Sequence, residues 1–510
     1  MQTLPSSPLR PQLVVTSGHL LRVDGLSIEH EEILCRSLRV ANPAVAQQKR
    51  FSGWVSRSVP KFLTGYVREP DGSLWIAPGA GMMLWHMSQD WGYEFVWAGP
   101  EHPFKQHEFF YLGERRALQD RIVEACNKRQ GAFVAPCGGG KTDVALRIIQ
   151  SRAVSTLVIV HTRELVDQWR DRIEKRMGIK PFILHKIPKK PMATYPIIIA
   201  TAQYLIRHGD LLADLDQHRK MVIVDECHHT PCSTFTQILS RLNPYYRFGF
   251  TATPERDDGT TALLNWWIGP VIGEIKQEEL ESAGLVMRPR LEVRVCPHVV
   301  SSYDPKEPGD YHRVTKLLED NHNRQQQIAG DIADEFNRIG GTHIVLVSHV
   351  TYLERLLETT ARLLVREGMV AGIIGTMGKM ARRDVLRRVR AGEVKILFAT
   401  TLADEGLDLP ALDHAWLVSP TRAASKVQQR IGRVCRSLHG KTQPVVTAYV
   451  DVAVAREDYD QEGRRVIKRL FVNQFRHCLR KVYRPLCDVD EAQIRSVLTW
   501  RGDVNAAASR

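Results

Sequence analysis

The sequence lacks any apolar run that approaches the roughly 18 residues of a membrane-spanning helix. Its N-terminus also lacks the basic and apolar leader, with a small-residue cleavage site, that marks secreted proteins. Nine cysteines are present, an odd number, and none are spaced as CxxC, which argues against both a disulfide framework and a zinc knuckle. We therefore expect a protein of the reducing cytoplasm, neither exported nor embedded in a membrane.

What the chain does have is enough apolar material for several cores. With 510 residues, of which 43% are hydrophobic and 25% charged, it exceeds the size at which one core stops growing, so we expect three or four globular domains. Its formal net charge of +13 favours a polyanionic partner through electrostatic steering and counterion release. Ribosomal and membrane-surface proteins share this balance, so charge alone does not identify the partner.

The pattern of the sequence divides the chain into four parts. Residues 1–108 hold five of the ten tryptophans and several strand-like runs (LVVTSGHLLRV, SLWIAP, MMLWHM and YEFVWAG), which predict a mostly β accessory domain. In residues 109–297, and again in 298–455, apolar β-branched runs alternate with helical patterns, which predicts an α/β fold with two tandem parallel-sheet domains. Residues 456–510 form a tail, in which the segment 463–484 predicts a basic helix.

A glycine-rich segment between a predicted strand (GAFV) and a predicted helix (DVALRIIQ) has the context of a phosphate-binding P-loop. Glycines let backbone amides approach phosphates, and the N-terminus of the following helix adds a positive dipole. Lys141 is expected to reach the β- and γ-phosphates of ATP, and the Thr142 hydroxyl to ligate Mg²⁺. The strict pattern has Gly where this chain has Ala135, and the alternative is a Gly-rich turn with an incidental lysine. The predicted nucleotide-binding residues of the loop are Ala135, Pro136, Cys137, Gly138, Gly139, Gly140, Lys141 and Thr142.

Two adjacent acids, Asp225 and Glu226, end the apolar run MVIV, where unpaired carboxylates on a buried strand would be costly. A metal ion accounts for them: Asp225 is expected to bind Mg²⁺, directly or through water, and Glu226 to orient and deprotonate the attacking water. The cysteines and histidines between positions 227 and 232 are clustered like zinc ligands. A closed zinc site normally has paired, spaced donors, so zinc is disfavoured.

These two elements resemble motifs I and II of superfamily 2 helicases of the DExH kind, and further motifs follow in the family's order. The matching segments are RALQ (116–119), TREL with QW (162–169), TAQ (201–203), TAT (251–253), SH (348–349), TTLADEGLD (400–408) and QRIGRVCR (429–436). The resemblance covers about residues 112–455 and implies that both α/β domains are RecA-like. It implies nucleotide contacts from Gln119, which would read adenine, and from Gly406 and Asp408.

The second RecA-like domain is expected to complete the catalytic site. The resemblance implies that Gln429, Arg433 and Arg436 reach the γ-phosphate in the cleft between the two domains. A P-loop domain alone lacks a cation for the charge that develops on the γ-phosphoryl group. An arginine finger is permanently charged and can raise the rate about 10³–10⁵-fold.

A nucleic-acid track is implied on the face opposite ATP, where hydroxyls and backbone amides hold phosphates without reading bases. The implied contacts are Arg163, Thr201, Ser348 and Thr401. Either threonine could instead be a strand-end cap. The accessory tryptophans could stack on bases or form a small core, and the tail helix could clamp a backbone or face solvent.

Within the superfamily, the compact core, the TATPERDD stretch (251–258) and the TTLADEGLDLP stretch (400–410) look most like the XPB branch, which includes phage helicases of the UvsW type. Position 228 is His rather than the Asp of DEAD-box RNA helicases, so DNA is favoured over RNA. We expect an ATP-dependent DNA helicase or translocase that moves 3′ to 5′ and unwinds or remodels forked or branched DNA in repair, recombination or replication.

Three alternatives stay open. The chain could be the motor subunit of a restriction or defence system, although no PD…(D/E)xK nuclease pattern is evident. It could also be an RNA helicase, or a nucleic-acid-binding module that uses ATP only as a switch. Sequence alone leaves the protein partners and the preferred DNA structure open.

Overall fold

The computed structural model describes residues 10–500 apart from short gaps. The gaps are 53, 100–104, 126–129, 187, 189, 228–231, 253–259, 300, 305–306, 308, 401–411, 422–423, 436–441 and 460–464. The chain forms two compact units, Met1–Lys276 and Gln277–Arg510. Among the described residues, no helix combines the length and the hydropathy that crossing a membrane requires.

The first unit begins with a small mixed domain. Its elements are β1 (Gln12–Thr16), β2 (Leu21–Asp24), α1 (Ile28–Ser37), β3 (Arg39–Ala41), α2 (Pro43–Ser52), β4 (Phe62–Thr64), β5 (Tyr66–Arg68), β6 (Leu74–Ile76), α3 (Gly81–Asp90) and β7 (Glu94–Ala98). Five strands form a sheet of order β5-β6-β2-β1-β7, while β3 and β4 pair separately. The run MMLWHM, expected to be a strand, is the helix α3, because its buried residues Gly81, Leu84 and Ser88 recur at helical spacing.

The rest of the first unit is a parallel α/β domain. Its elements are α4 (Ala117–Ala125), β8 (Gln130–Val134), α5 (Lys141–Arg152), β9 (Thr156–Val160), α6 (Arg163–Met177), β10 (Phe182–Leu184), β11 (Ile197–Thr201), α7 (Ala202–Arg207), α8 (Leu211–His218), β12 (Met221–Asp225), α9 (Cys232–Leu239), β13 (Tyr246–Thr251), α10 (Thr261–Trp267) and β14 (Val271–Glu274). The strand order is β10-β11-β9-β12-β13-β8-β14, and all neighbours run parallel. Strands β9, β12 and β13 are buried along their whole length, which explains their continuous apolar runs.

The second unit contains a similar parallel sheet. Its elements are α11 (Gln277–Ser282), β15 (Arg290–Cys296), β16 (Ser301–Ser302), α12 (Asp310–Asp320), α13 (His322–Ile339), β17 (His343–Val347), α14 (Val350–Leu363), β18 (Val370–Ile373), α15 (Lys379–Arg390), β19 (Ile396–Thr400), β20 (His414–Leu417), α16 (Ala424–Val434), β21 (Val445–Asp451), β22 (Val454–Tyr459), β23 (Arg465–Arg469), α17 (Leu470–Cys478), α18 (Arg484–Leu486), β24 (Asp488–Val489) and α19 (Glu491–Leu498). The sheet order is β18-β19-β17-β20-β21-β15-β24, again all parallel. Two seven-stranded parallel sheets confirm the predicted tandem α/β fold.

Two predicted boundaries differ from the structure. Residues 277–297, assigned from the sequence to the first α/β domain, belong to the second unit, because β15 pairs with β21 along seven residues. In the tail, the predicted helix starts only at Leu470, because Arg465–Arg469 pairs as a strand with β22. The tail is part of the second unit rather than a separate appendage, since Phe471, Phe475 and Leu479 are buried and β24 extends the sheet.

The accessory domain packs tightly against α10 of the first α/β domain. A Cβ added to Gly79 would lie 2.3 Å from the Asn265 carbonyl oxygen, and one added to Gly65 would lie 2.9 Å from the Trp266 ring. Gln130 Nε2, at the start of β8, donates a hydrogen bond of 2.8 Å to the Pro78 carbonyl. Glycine at these positions is what allows the two domains of this unit to approach so closely.

The accessory tryptophans are not the buried core of that domain. Trp54 is 65% exposed, and Trp85 and Trp97 are each 41% exposed. Trp75 and Trp91 are half-buried. Trp91 packs against the buried core, as the core interpretation expects, whereas Trp54, Trp85 and Trp97 are exposed, and base stacking by these three stays a prediction.

Candidate ATPase site

The predicted P-loop connects β8 to α5 at the carboxyl edge of the first sheet. Gly138 (φ +91°) and Gly140 (φ +74°) adopt left-handed conformations that favour glycine. A Cβ on Gly140 would lie only 2.2 Å from Gln119 Nε2, so this glycine also makes room for the predicted adenine-reading residue. Ala135 is 4% exposed, and its N–H donates to the Thr251 carbonyl at 3.0 Å. The alanine that departs from the strict pattern thus belongs to the sheet end rather than to the glycine-rich curve of the loop.

The Lys141 side chain points into the loop and contacts the carboxylate of Glu226. Its Nζ lies 3.2 Å from Glu226 Oε1 and 3.3 Å from the carbonyl oxygen of Ala135. Burial lowers the pKa of Lys141, but the charges of Glu226, Cys137 and Asp225 outweigh burial, and the net pKa is raised. The ammonium therefore stays charged where phosphates are expected to bind.

The two acids lie where β12 ends. Asp225 is 6% exposed; its Oδ2 accepts a hydrogen bond of 2.7 Å from Trp169 Nε1, and its Oδ1 accepts one of 3.0 Å from the Glu226 N–H. Glu226 has φ +45°, an unusual backbone conformation for a residue with a side chain. Burial, followed by the charge of Glu226, raises the pKa of Asp225 to about 6. Backbone strain next to a buried acid with a raised pKa is typical of a functional site.

This donor set fits Mg²⁺. A divalent cation prefers carboxylate and hydroxyl oxygens, and it would relieve the repulsion between Asp225 and Glu226. Thr142 follows Lys141 at the start of α5, so its hydroxyl belongs to the same loop end. The zinc alternative is not tested, because His228 and His229 lie outside the described residues.

The segment that carries Gln119 is anchored on the helices around the P-loop. Gln119 is 3% exposed, and Asp120 forms an ion pair with Arg147 of α5. Upstream, Tyr111 OH donates to Asp143 Oδ1 at 3.1 Å, and burial, with the Asp143 charge, raises the pKa of Tyr111 to about 12. Sequence reasoning missed these anchors and the bond from Trp169 to Asp225, because each joins residues that are distant in sequence.

The predicted nucleic-acid contacts of the first unit lie at helix starts. Arg163 is exposed at the first position of α6. The Thr201 side chain accepts from the Tyr204 N–H at 3.2 Å and caps α7, so the capping interpretation of this threonine is confirmed. Capping uses one lone pair of the hydroxyl, and its proton can still be donated to a phosphate.

The predicted residues of the second unit are only partly covered by the described residues. Gln429 and Arg433 lie on α16 and are half-buried, and Ser348 follows β17. Outside the described residues lie Thr401, Gly406, Asp408, Arg436 and His228. The roles of all these residues stay predictions.

Comparison with known proteins identifies the two α/β domains. The model of the res subunit of type III restriction enzymes matches residues 113–256, and the conserved C-terminal helicase domain matches residues 327–437. A DNA 3′-5′ translocase, XPB2 of Sulfurisphaera tokodaii, is 27% identical over 63% of this chain and 79% of its own length. The chain is an ATP-dependent, XPB-like helicase of superfamily 2. The helicase is also 23% identical to a putative ATP-dependent RNA helicase, L396, of Acanthamoeba polyphaga mimivirus, over 71% of this chain and 69% of that protein.

The fold of the helicase recurs in solved structures. A fragment of a putative HsdR subunit of a type I restriction enzyme from Vibrio vulnificus superposes with a TM-score of 0.52 at 20% sequence identity. The match covers 66% of this chain and 64% of the fragment. At this identity the likeness concerns the fold alone.

Proposed function

We propose that this helicase couples hydrolysis of Mg-ATP to 3′-to-5′ movement on DNA, and that it unwinds or remodels forked or branched DNA in repair, recombination or replication. The observation that carries the proposal is the arrangement at the carboxyl edge of the first sheet. There, Lys141 contacts Glu226 beside the buried Asp225, so a cation, a candidate base and a candidate metal ligand converge on one loop. The DNA substrate and the polarity are supported by the name of the archaeal relative.

The contact between Lys141 and Glu226 suggests how nucleotide binding prepares the base. Phosphate oxygens compete with Glu226 for the Lys141 ammonium, because they carry more negative charge. Once Lys141 turns to the phosphates, the Glu226 carboxylate can orient a water molecule and take its proton. Asp225 and Thr142 would hold Mg²⁺, which would supply positive charge to neutralise the phosphates. Arg433 and Arg436, with Gln429, stabilise the charge that develops on the γ-phosphoryl group.

DNA is held mainly by contacts to its backbone. Arg163 and Thr201 in the first unit, and Ser348 and Thr401 in the second, contact phosphates, which carry no sequence information. Affinity then falls with salt, since each phosphate contact releases counterions.

The test replaces Glu226 with Gln in the full chain. Turnover falls roughly 10²–10⁴-fold, because the base is lost, while ATP binding persists because the phosphate contacts remain. Glu174→Gln, at an exposed position on α6, is the matched control and keeps wild-type turnover. Unchanged hydrolysis in Glu226→Gln would contradict the motor assignment and favour an ATP switch.

The substrate is tested by measuring wild-type ATPase activity with single-stranded, duplex, forked and four-way DNA and with RNA, alongside strand displacement. We expect DNA to stimulate turnover and forked or four-way DNA to do so best. Stimulation by RNA alone would show that the chain is an RNA helicase. A restriction motor predicts stimulation by duplex DNA without strand displacement.

A further inference from the structure

The carboxyl edge of the second sheet carries a buried glutamate that no step of the proposed function uses. Glu319, near the end of α12, is 4% exposed. It lies beside Ser348 and His349, which follow β17, and Ser419, which follows β20. A buried carboxylate destabilises the fold unless its oxygens accept hydrogen bonds or form ion pairs.

Both carboxylate oxygens of Glu319 are linked by hydrogen bonds to the segment Ser348–His349, one directly and one through Ser419. Oε1 accepts a hydrogen bond of 3.3 Å from the Ser419 hydroxyl, and Oε2 lies 2.6 Å from His349 Nδ1. The Ser419 hydroxyl in turn accepts from the Ser348 N–H at 3.0 Å. One carboxylate therefore fixes Ser348 through a hydroxyl and His349 directly.

Two arginines hold the backbone next to the residues that this contact joins. Arg355 donates to the Glu319 carbonyl at 3.3 Å and to Asp320 at 2.8 Å. On the other side, Arg324 is fully buried and donates to the Val418 carbonyl, next to Ser419, at 2.8 Å. The backbone at Glu319 and the backbone next to Ser419 are thus both held by arginine hydrogen bonds.

The histidine that Glu319 orients remains accessible. The His349 side chain is 43% exposed, and its ring packs edge-on to the exposed His312 at 5.8 Å between centroids. With Nδ1 directed at Glu319, the other ring nitrogen is left for an external partner. A side chain held in one orientation loses less entropy when it binds that partner.

We propose that Glu319 is a positioning residue, which presets Ser348 and His349 to bind the phosphate backbone of a nucleic acid. This inference rests on the proposed function, because it assumes that the segment after β17 contacts nucleic acid. A merely structural glutamate would need one partner for its charge. Glu319 instead pairs one oxygen with His349 and the other with Ser419, whose hydroxyl accepts from the Ser348 N–H.

The test compares Glu319→Gln with Glu335→Gln in the full chain. Glu335 is a matched control: it is 7% exposed, lies on the neighbouring helix α13 and pairs with Arg338 at 2.7 Å, away from the motif. Binding of a fluorescein-labelled single-stranded DNA is measured by anisotropy, and ATPase activity is measured as DNA is titrated. Glu319→Gln raises both the Kd and the half-stimulating DNA concentration roughly five- to tenfold, while maximal turnover falls less than about twofold.

A double variant separates positioning from general damage. If Glu319 acts through His349, adding Glu319→Gln to His349→Ala weakens DNA binding less than about twofold further. Three results would each overturn the inference while leaving the proposed function standing. The first is a double variant whose loss of DNA affinity is the product of the two single losses. The others are DNA binding by Glu319→Gln within about twofold of wild type, and a loss in Glu335→Gln that equals the loss in Glu319→Gln. A wild-type chain that binds neither DNA nor RNA would overturn the proposed function itself, and this inference with it.

Discussion

Two buried histidines make the stability of the second unit depend on pH. His414 of β20 is 1% exposed; its ring stacks on Trp416 with 4.1 Å between centroids, and its Nε2 lies 2.8 Å from Thr447 Oγ1. Burial lowers the pKa of His414 to about 2, with further lowering by His343 and nearby arginines. Burial also lowers the pKa of His343. We predict that mild acid destabilises this unit.

The direction follows from the number of bound protons. An unfolded histidine has a pKa of about 6.5, so below that pH the unfolded chain binds a proton that folded His414 does not. The contribution of neutral His414 to the free energy of unfolding is therefore present above the unfolded pKa of about 6.5 and is lost as the pH falls below it. Between about pH 7.5 and about pH 5 the loss for one histidine is about 2 kcal/mol. Because pH 5 is still far above the folded pKa, the unfolded value sets this magnitude, and His343 adds to it in the same direction.

The assay compares wild type with His414→Phe by urea unfolding, followed through tryptophan fluorescence at both pH values. Phenylalanine keeps a ring on Trp416 but cannot titrate, and its lost bond to Thr447 lowers stability equally at both pH values. Wild type should lose about 2 kcal/mol more than the variant on acidification. His477→Phe, at an exposed position on α17, serves as the control and should keep the wild-type pH dependence. Equal losses in wild type and His414→Phe would refute the reasoning.

Two further changes test the geometry. Gly140→Ala puts a Cβ 2.2 Å from Gln119 Nε2 at a left-handed backbone position, so ATP affinity should fall at least about tenfold in a titration with a fluorescent analogue; unaltered affinity would contradict the loop geometry. Arg324→Met leaves Asp451 buried without its partner at 2.7 Å, so the free energy of unfolding should fall by about 3–5 kcal/mol, and adding Asp451→Leu should recover most of it. If the double variant is as unstable as Arg324→Met alone, the instability of Arg324→Met does not come from the unpaired charge of Asp451.

The ATP site could be predicted because its chemistry is encoded in short segments. The P-loop and the acids at 225 and 226 each follow a continuous apolar run, and parallel strands bring the ends of such runs to one edge. What could not be predicted is which distant side chains hold these groups. Trp169 contacts Asp225 across 56 residues, and in the second unit Glu319 contacts His349 across 30 residues; no local pattern signals either pairing.

The errors in the fold have local causes. The run MMLWHM is apolar except for His86, and periodicity does not separate a strand from a helix over so few residues. The strand β15 (RLEVRVC) alternates apolar and charged residues, unlike the continuous runs of the other central strands, so it gave no sign of belonging to a parallel sheet. In the tail, the β-branched residues Val466 and Ile467 precede the helix α17. They lie in a strand that pairs with β22 and do not extend the helix.

The distribution of charge bears on which part of the helicase holds a polyanion. Residues 1–108 contain ten Lys and Arg and ten Asp and Glu, so the whole surplus of +13 lies in residues 109–510. The net attraction for a polyanion therefore comes from residues 109–510, which include the two α/β domains. The accessory domain, which is packed tightly on the first of them, offers exposed tryptophans instead of net charge. Stacking on these side chains would add affinity that depends little on base sequence.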